Sequence, residues 1–225
     1  MGSAATASGL RDARSAGDHY AEGVGFEPTD GLPSCAFKAH ALGHYANPPV
    51  PAFGTWGILP GMTPEEAFHA IWTTGCINED WARWPDHLTE DVLYVERIFG
   101  TMHGREAVRA WITDLMSVRG DVHGVLNWYM VKGDRIVLNM TNRYYHPDPA
   151  QPPIDFGGLS VLEYAGNGLF GYEEDYWDTT GAKTAYEQFT AAVAECGGKG
   201  LNNGRYDALE AERKAANHAV LRSGG

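Results

Sequence analysis

The chain has 225 residues, 44% of them hydrophobic and 20% charged, which suits one globular domain with extra segments, or at most two small domains, and argues against wholesale disorder. Its 17 Lys and Arg stand against 29 Asp and Glu, for a net charge of −12, and no basic run offsets this, so nucleic acid and anionic membranes are not expected partners. Three cysteines, Cys35, Cys76 and Cys196, show no CxxC spacing, so neither a disulfide framework nor a structural zinc site is expected, and a cytoplasmic setting fits.

The first residues, "MGSAATASGLRDARSAGD", lack a basic start followed by an apolar stretch, so no secretory leader is expected. No apolar run reaches the ~18 residues that a membrane span needs. Residues 1–60 are rich in Ala, Gly and Pro. They read as a long irregular extension, an arm or lid in which Phe53, Trp56 and Ile58 can pack and Pro fixes the backbone. His40 and His44 are spaced as metal ligands on a helix, but they lie amid Gly and Pro with no Glu after the first His, and no metal is expected.

A helix starts at "TPEE". Thr63 is an N-cap, Pro64 suits the first turn, and Glu66 can close a capping box. Phe68, Ile71, Trp72, Gly75 and Cys76 recur at helical spacing. A short second helix is expected around "EDWARWPDHL", with Trp81 and Trp84 inward and a break at Pro85. "DVLYVERIF" (91–99) alternates and is β-branched, so it predicts a strand that puts Tyr94, Glu96 and Ile98 on one face. "GREAVRAWITDLMS" (104–117) predicts a helix.

After Gly120 the pattern is a meander. "DVHGVLNWYMV" and "RIVLNMTNRYYH" flank the turn "KGD", and "PIDFGGLSVLEY" and "LFGYEEDYWD" flank "AGNG". Gly157 and Gly158 inside a strand suggest a bulge or sharp bend. "AKTAYEQFTAAVAE" is a closing helix, and "YDALEAERKAANHAVL" has a weak helical pattern that would suit packing on a neighbouring subunit. The whole predicts an α+β domain whose strongly curved antiparallel sheet wraps the helices and leaves a pocket for a small molecule.

The ordered set "LTEDVLYVERIFG…HGREAVRAWITDL", "HGVLNWYMVKGDRIVLNMTNRYY" and "GNGLFGYEEDYWD" resembles the SnoaL-like members of the nuclear transport factor 2-like superfamily over roughly residues 63–195. The resemblance implies a cone-shaped α+β barrel. Its organisation would be an N-terminal arm over 1–60, a cavity domain over 61–196, and a partly helical tail over 197–225. Ketosteroid isomerases, limonene epoxide hydrolases, scytalone dehydratases and polyketide cyclases share that fold, as do proteins that merely bind or dimerise, so the site must decide the function.

Against these relatives, Glu96 stands where ketosteroid isomerases have an acidic general base, and Tyr94 and Glu96 stand where limonene epoxide hydrolases have Tyr and Asn. Asp175 matches the water-activating Asp of those hydrolases. Arg143 is kept from an Arg-x-Asp pattern whose Asp is replaced by Tyr145. A buried Arg needs a carboxylate, so an Arg143–Asp175 pair is expected across adjacent strands, with Glu173 near the cavity rim at most and Asp178 capping the next helix. The catalytic set is then Glu96, Asp175, Arg143, Tyr145 and Tyr94. Trp72, Trp81 and Trp177 would line the cavity, with His123 and Asn127 as polar contacts.

The set suits proton abstraction and oxyanion stabilisation. The build resembles bacterial diarylpropane lyases of lignin catabolism, which implies a cofactor-independent lyase acting on a hydrophobic aromatic molecule and releasing formaldehyde. Epoxide hydrolysis or isomerase- or dehydratase-like chemistry is the alternative, and a non-catalytic binding module is the alternative of another class. A homo-oligomer, dimer or trimer, is expected.

Overall fold

The computed structural model describes residues 61–119, 121–198 and 204–224. The expected arm, with His40, His44 and Cys35, lies outside them.

Helix α1 spans Pro64–Trp72 and opens on the expected capping box. The Thr63 hydroxyl accepts from the Glu66 N–H at 3.2 Å, and the Glu66 carboxylate accepts from the Thr63 N–H at 2.7 Å, which satisfies two orphan donors. Ala67, Phe68, Ile71 and Trp72 form its buried stripe. The helix runs on into a π-helical turn, Thr73–Ile77, which nothing in the spacing foretold. A short 3-10 helix, Trp84–His87, follows around Pro85.

Strand β1 spans Leu88–Glu96, so it begins and ends earlier than the alternation suggested. It stops because the Glu96 carboxylate accepts from the N–H groups of Ile98 and Phe99, at 2.5 and 2.6 Å. A side chain that bonds its own downstream backbone turns the chain out of the ladder. Ile98 is therefore exposed rather than on the face of Tyr94 and Glu96. The turn leads into β2, Gly100–His103, a short strand that the sequence reading did not separate from its surroundings. Helix α2 spans Arg105–Arg119.

The meander is β3 (Val122–Lys132), β4 (Arg135–Tyr144), β5 (Ile154–Gly166) and β6 (Leu169–Trp177). Asn167 and Gly168 take positive φ, 56° and 78°, in the β5–β6 turn, where Asn and Gly are the residues that tolerate it. Helix α3 spans Thr179–Glu195 and is capped by Asp178, as expected.

The six strands form one curved, open sheet in the order β2-β1-β6-β5-β4-β3, and the chain is α+β. The sheet is antiparallel except at β1–β6, which pair in parallel; a wholly antiparallel sheet was expected. The even-numbered residues of β4, from Ile136 to Tyr144, are buried. Ile136, Leu138 and Met140 join Leu162 of β5 in the core cluster with Phe68, Ile71 and Trp72 of α1 and Val108 and Ile112 of α2. The odd-numbered residues of β4 take the other face.

Gly158 lies on the inner face, but no register shift marks it. Its role is close approach: a Cβ there would stand 2.4 Å from Cζ3 of Trp177. Gly158→Ala must displace that ring and is expected to cost about 1–3 kcal/mol, the usual range for overpacking. Urea unfolding checks this; an unchanged midpoint would show that the ring moves freely.

Helix α4 spans Gly204–Ser223 and packs on β3 of its own chain, where its pattern had suggested packing on a neighbouring subunit. Asn217, fully buried, serves the free edge of β3 as another strand would. Its Oδ1 accepts from the Leu126 N–H at 2.7 Å and from Trp72 Nε1 at 3.1 Å, and its Nδ2 donates to the Gly124 carbonyl at 3.1 Å. An edge strand left with open N–H and C=O groups is a pairing liability, and α4 closes this one.

Candidate active site

Strand parity puts Glu173 and Asp175 of β6 inside, with Tyr176 outward. The ladder sets Ser160 of β5 opposite Asp175 and Tyr94 of β1 beside Glu173. The Asp175 carboxylate is 3% exposed. Its Oδ2 accepts from the Tyr94 hydroxyl at 2.6 Å, and its Oδ1 accepts from the Ser160 hydroxyl.

Burial is the largest influence on the Asp175 carboxyl and raises its pKa; the two hydroxyl donors oppose this, and the charges of Glu96 and Glu174 add to it, leaving the pKa at about 6. Burial, then the Asp175 charge, pushes Glu173 well above the usual carboxylate range. Of the two, Asp175 gives up its proton more readily and Glu173 holds its proton more tightly. Burial and the neighbouring acids also raise Tyr94, so it stays a phenol that donates. Burial, with a smaller influence of the Glu173 and Asp175 charges, drives the Cys76 thiol upward and keeps it neutral, which makes it a poor nucleophile.

Four buried polar atoms have no partner among the described residues: Glu173 Oε2, Asn142 Nδ2, Trp111 Nε1 and, at the start of β1, Thr89 Oγ1. Buried polar groups are almost always satisfied. The Trp111 ring packs 5.2 Å from that of Tyr94, and Asn142 reaches over Gly158, Nδ2 lying 3.3 Å from the position of an added Cβ. These are groups that a bound molecule can satisfy.

The structure brings together Tyr94, Glu96 and Asp175 of the expected catalytic set. Glu96 is buried, and its Oε2 is committed to the turn after β1. Arg143 is not beside Asp175. It occupies the odd-numbered face of β4 and grips Asp155 through two bonds, at 2.9 and 2.6 Å, in a half-exposed pair. Tyr145 lies past the end of β4; its hydroxyl donates to the Leu209 carbonyl at 3.3 Å and its ring lies 5.3 Å from His123. Glu173, expected at the rim, is 7% exposed.

Of the expected binding residues, Trp72 is a core side chain tied to Asn217. Trp81 packs on Trp84 and Trp177 on Phe156, so both belong to the wall of the core. Asn127 is exposed and donates to Asn139 and Thr141. His123 is buried against Glu79, 2.7 Å from its Oε1. Glu79, His123 and Glu210 lie close enough together to hold a metal ion, but the Arg213 guanidinium already donates to Glu79 at 3.0 Å and to Glu210 at 2.8 Å. The cluster has its cation, and it anchors α4.

Sequence reading missed Ser160, Asn142 and the standing of Glu173. Glu173 shares a face with Asp175 by the same parity that singled out Asp175, so its signal was present. Asn142 and Ser160 carried none until the register of β4, β5 and β6 was known.

Residues 66–170 match the family described as SnoaL-like domain. No curated protein matches the sequence. Among solved structures, a protein with a ketosteroid isomerase-like fold from Catenulispora acidiphila, in complex with trimethylamine, is 20% identical, covering 53% of this chain and 90% of its own, at a TM-score of 0.42. An LEH-like epoxide hydrolase of M. tuberculosis is 19% identical, covering 58% and 94%, at 0.44. An NTF2-like protein from Burkholderia pseudomallei is 19% identical, covering 56% and 97%, at 0.43. The match to the SnoaL-like domain, over residues 66–170, falls on the helices and curved sheet just described.

Proposed function

We propose that the protein is a cofactor-independent lyase that works by acid/base chemistry on a hydrophobic aromatic small molecule, releasing formaldehyde from the hydroxymethyl group of a 1,2-diarylpropane. The observation that carries the acid/base reading is Asp175: a buried carboxylate, fixed by two hydroxyl donors, with a pKa of about 6. A general base is most effective when its pKa lies near the working pH. The reaction is redox-neutral. Asp175 takes the proton of the hydroxymethyl oxygen, and that oxygen's electron pair forms the carbonyl of formaldehyde. The pair of the broken C–C bond passes to the arylated carbon, where a proton arrives or a neighbouring hydroxyl leaves as water. The Trp111 ring, 5.2 Å from that of Tyr94, suits a flat substrate, and the substrate preference rests on the resemblance to diarylpropane lyases.

Arg143, paired with Asp155 on the other face, is not placed for an Asp–Arg–Asp relay, so epoxide hydrolysis is the weaker reading. Incubation with a 1,2-diarylpropane-1,3-diol in 18O-labelled water tests the choice. Formaldehyde release without label in the aryl product is expected. A labelled diol formed from an epoxide, with no formaldehyde from the diarylpropane, would replace the lyase reading by hydrolysis. Ligands recovered unaltered would leave a binding module.

A further inference from the structure

The lyase reading needs an acid as well as a base, and the inference here rests on that reading. Asp175 has both oxygens engaged, by Tyr94 and Ser160. Tyr94 has given its proton to a hydrogen bond with Asp175. Glu96 is committed to the backbone of Ile98 and Phe99. Among the described residues, Glu173 Oε2 is a buried carboxyl oxygen without a partner, on a side chain more than nine-tenths buried. It stands two residues from Asp175 on the same face of β6 and beside Tyr94 in the ladder.

We propose that Glu173 is the general acid of this site: Oε2 delivers its proton to the group that takes up the electron pair when the C–C bond breaks, while Asp175 accepts the proton of the hydroxymethyl oxygen. One proton enters the carboxyl pair and one leaves it, so the pair is restored by a transfer from Asp175 to Glu173 after each turnover. Burial and the adjacent anion favour that direction, because both hold the proton on Glu173. The free oxygen would then be the atom that the substrate's departing group satisfies. Like charges this close cannot both ionise cheaply, and two carboxyls pushed apart in this way take opposite acid and base roles.

Glu173→Gln keeps the volume and removes the transferable proton. With a phenolic 1,2-diarylpropane-1,3-diol and formaldehyde as readout, kcat is expected to fall by ~100-fold or more with KM little changed. The bell-shaped pH profile should lose its alkaline limb, and Glu173→Asp should restore part of the rate. Infrared difference spectra of the free protein give a readout without turnover: the wild type should show a protonated carboxylic acid at neutral pH that Glu173→Gln abolishes. Asp175→Asn and Tyr94→Phe separate the failures. If those variants lose turnover while Glu173→Gln stays within ~3-fold with the alkaline limb intact, the acid assignment is overturned and the lyase reading stands. If neither loses turnover, the site itself is misplaced. Absence of the protonated carboxyl band overturns the assignment whatever the substrate.

Discussion

Asp175→Asn is expected to lower kcat/KM by roughly 10²- to 10⁴-fold, the usual contribution of a positioned general base, while yielding a protein more stable than wild type at neutral pH. Both effects have one cause. The Asp175 carboxylate is charged in a buried place, and its folded pKa of about 6 lies above the ordinary 3.8. A group whose pKa is raised on folding contributes stability that is full below its unfolded pKa and is lost as pH rises through the folded one. For Asp175 that window runs from 3.8 to about 6. Above it, wild type bears the cost of the buried charge, on the order of 1–3 kcal/mol for a shift of this size, and the amide does not. Glu173 has the same sign. Urea unfolding at pH 7 should therefore show Asp175→Asn with the higher midpoint, and at pH 4 the difference should shrink. A destabilised variant, or one with undiminished turnover, would mean that Asp175 is a structural anion.

A residue that makes the fold less stable where the protein works is a sign of function rather than packing. It also shows how far the sequence could be read. The elements whose causes are local were legible: the capping box at Thr63 and Glu66, the Asp178 cap, and both tight turns depend on residues three or four apart. So was the parity of β6, because two carboxylates alternating with Glu174 and Tyr176 in one strand can be sorted without knowing the neighbours.

Residues whose meaning depends on which face of a strand looks inward were not. Arg143, Thr141 and Asn139 do share a face, but it is the one opposite Asp175, and a one-residue choice of face moves every side chain across the sheet. The inward residue beside Arg143 is Asn142. Nothing in "NMTNRYYH" says which of the two faces meets the helices, since the strand is polar on both. The end of β1 was hidden for another reason: Glu96 bonds to backbone rather than side chain, and composition carries no record of that.

The last helix makes the same point with a larger energy. Its helical pattern is weak, and its reason for docking is polar: Arg213, with 1% of its side chain exposed, donates to Glu210 at 2.8 Å, to Glu79 at 3.0 Å, and to the carbonyls of Gly124 and Cys76. Glu79 holds a left-handed backbone, φ 58°, to reach this cluster, a conformation unfavourable for a residue with a side chain. Arg213→Ala would leave two acids facing His123 with only Lys214, 3.8 Å from Glu210, as a cation, and breaking a buried ion pair from one side costs about 3–5 kcal/mol. Loss of that order in urea unfolding is expected, with faster amide exchange in α4 and in the edge of β3 that Asn217 covers. Burial works against the Glu210 charge, but Arg213, with His123 and Lys214, outweighs it and holds its carboxyl below the ordinary 4.5. The anchorage is thus full above 4.5 and weakens as pH falls, so the cost of Arg213→Ala should be smaller in acid than at neutral pH. A change below about 0.5 kcal/mol at pH 7 would show that the cluster merely breaks even against its desolvation. The Cys76 carbonyl links this anchor to the π-helical turn whose thiol feels the charges of Glu173 and Asp175, so loosening α4 should also raise KM for whatever the acids act on.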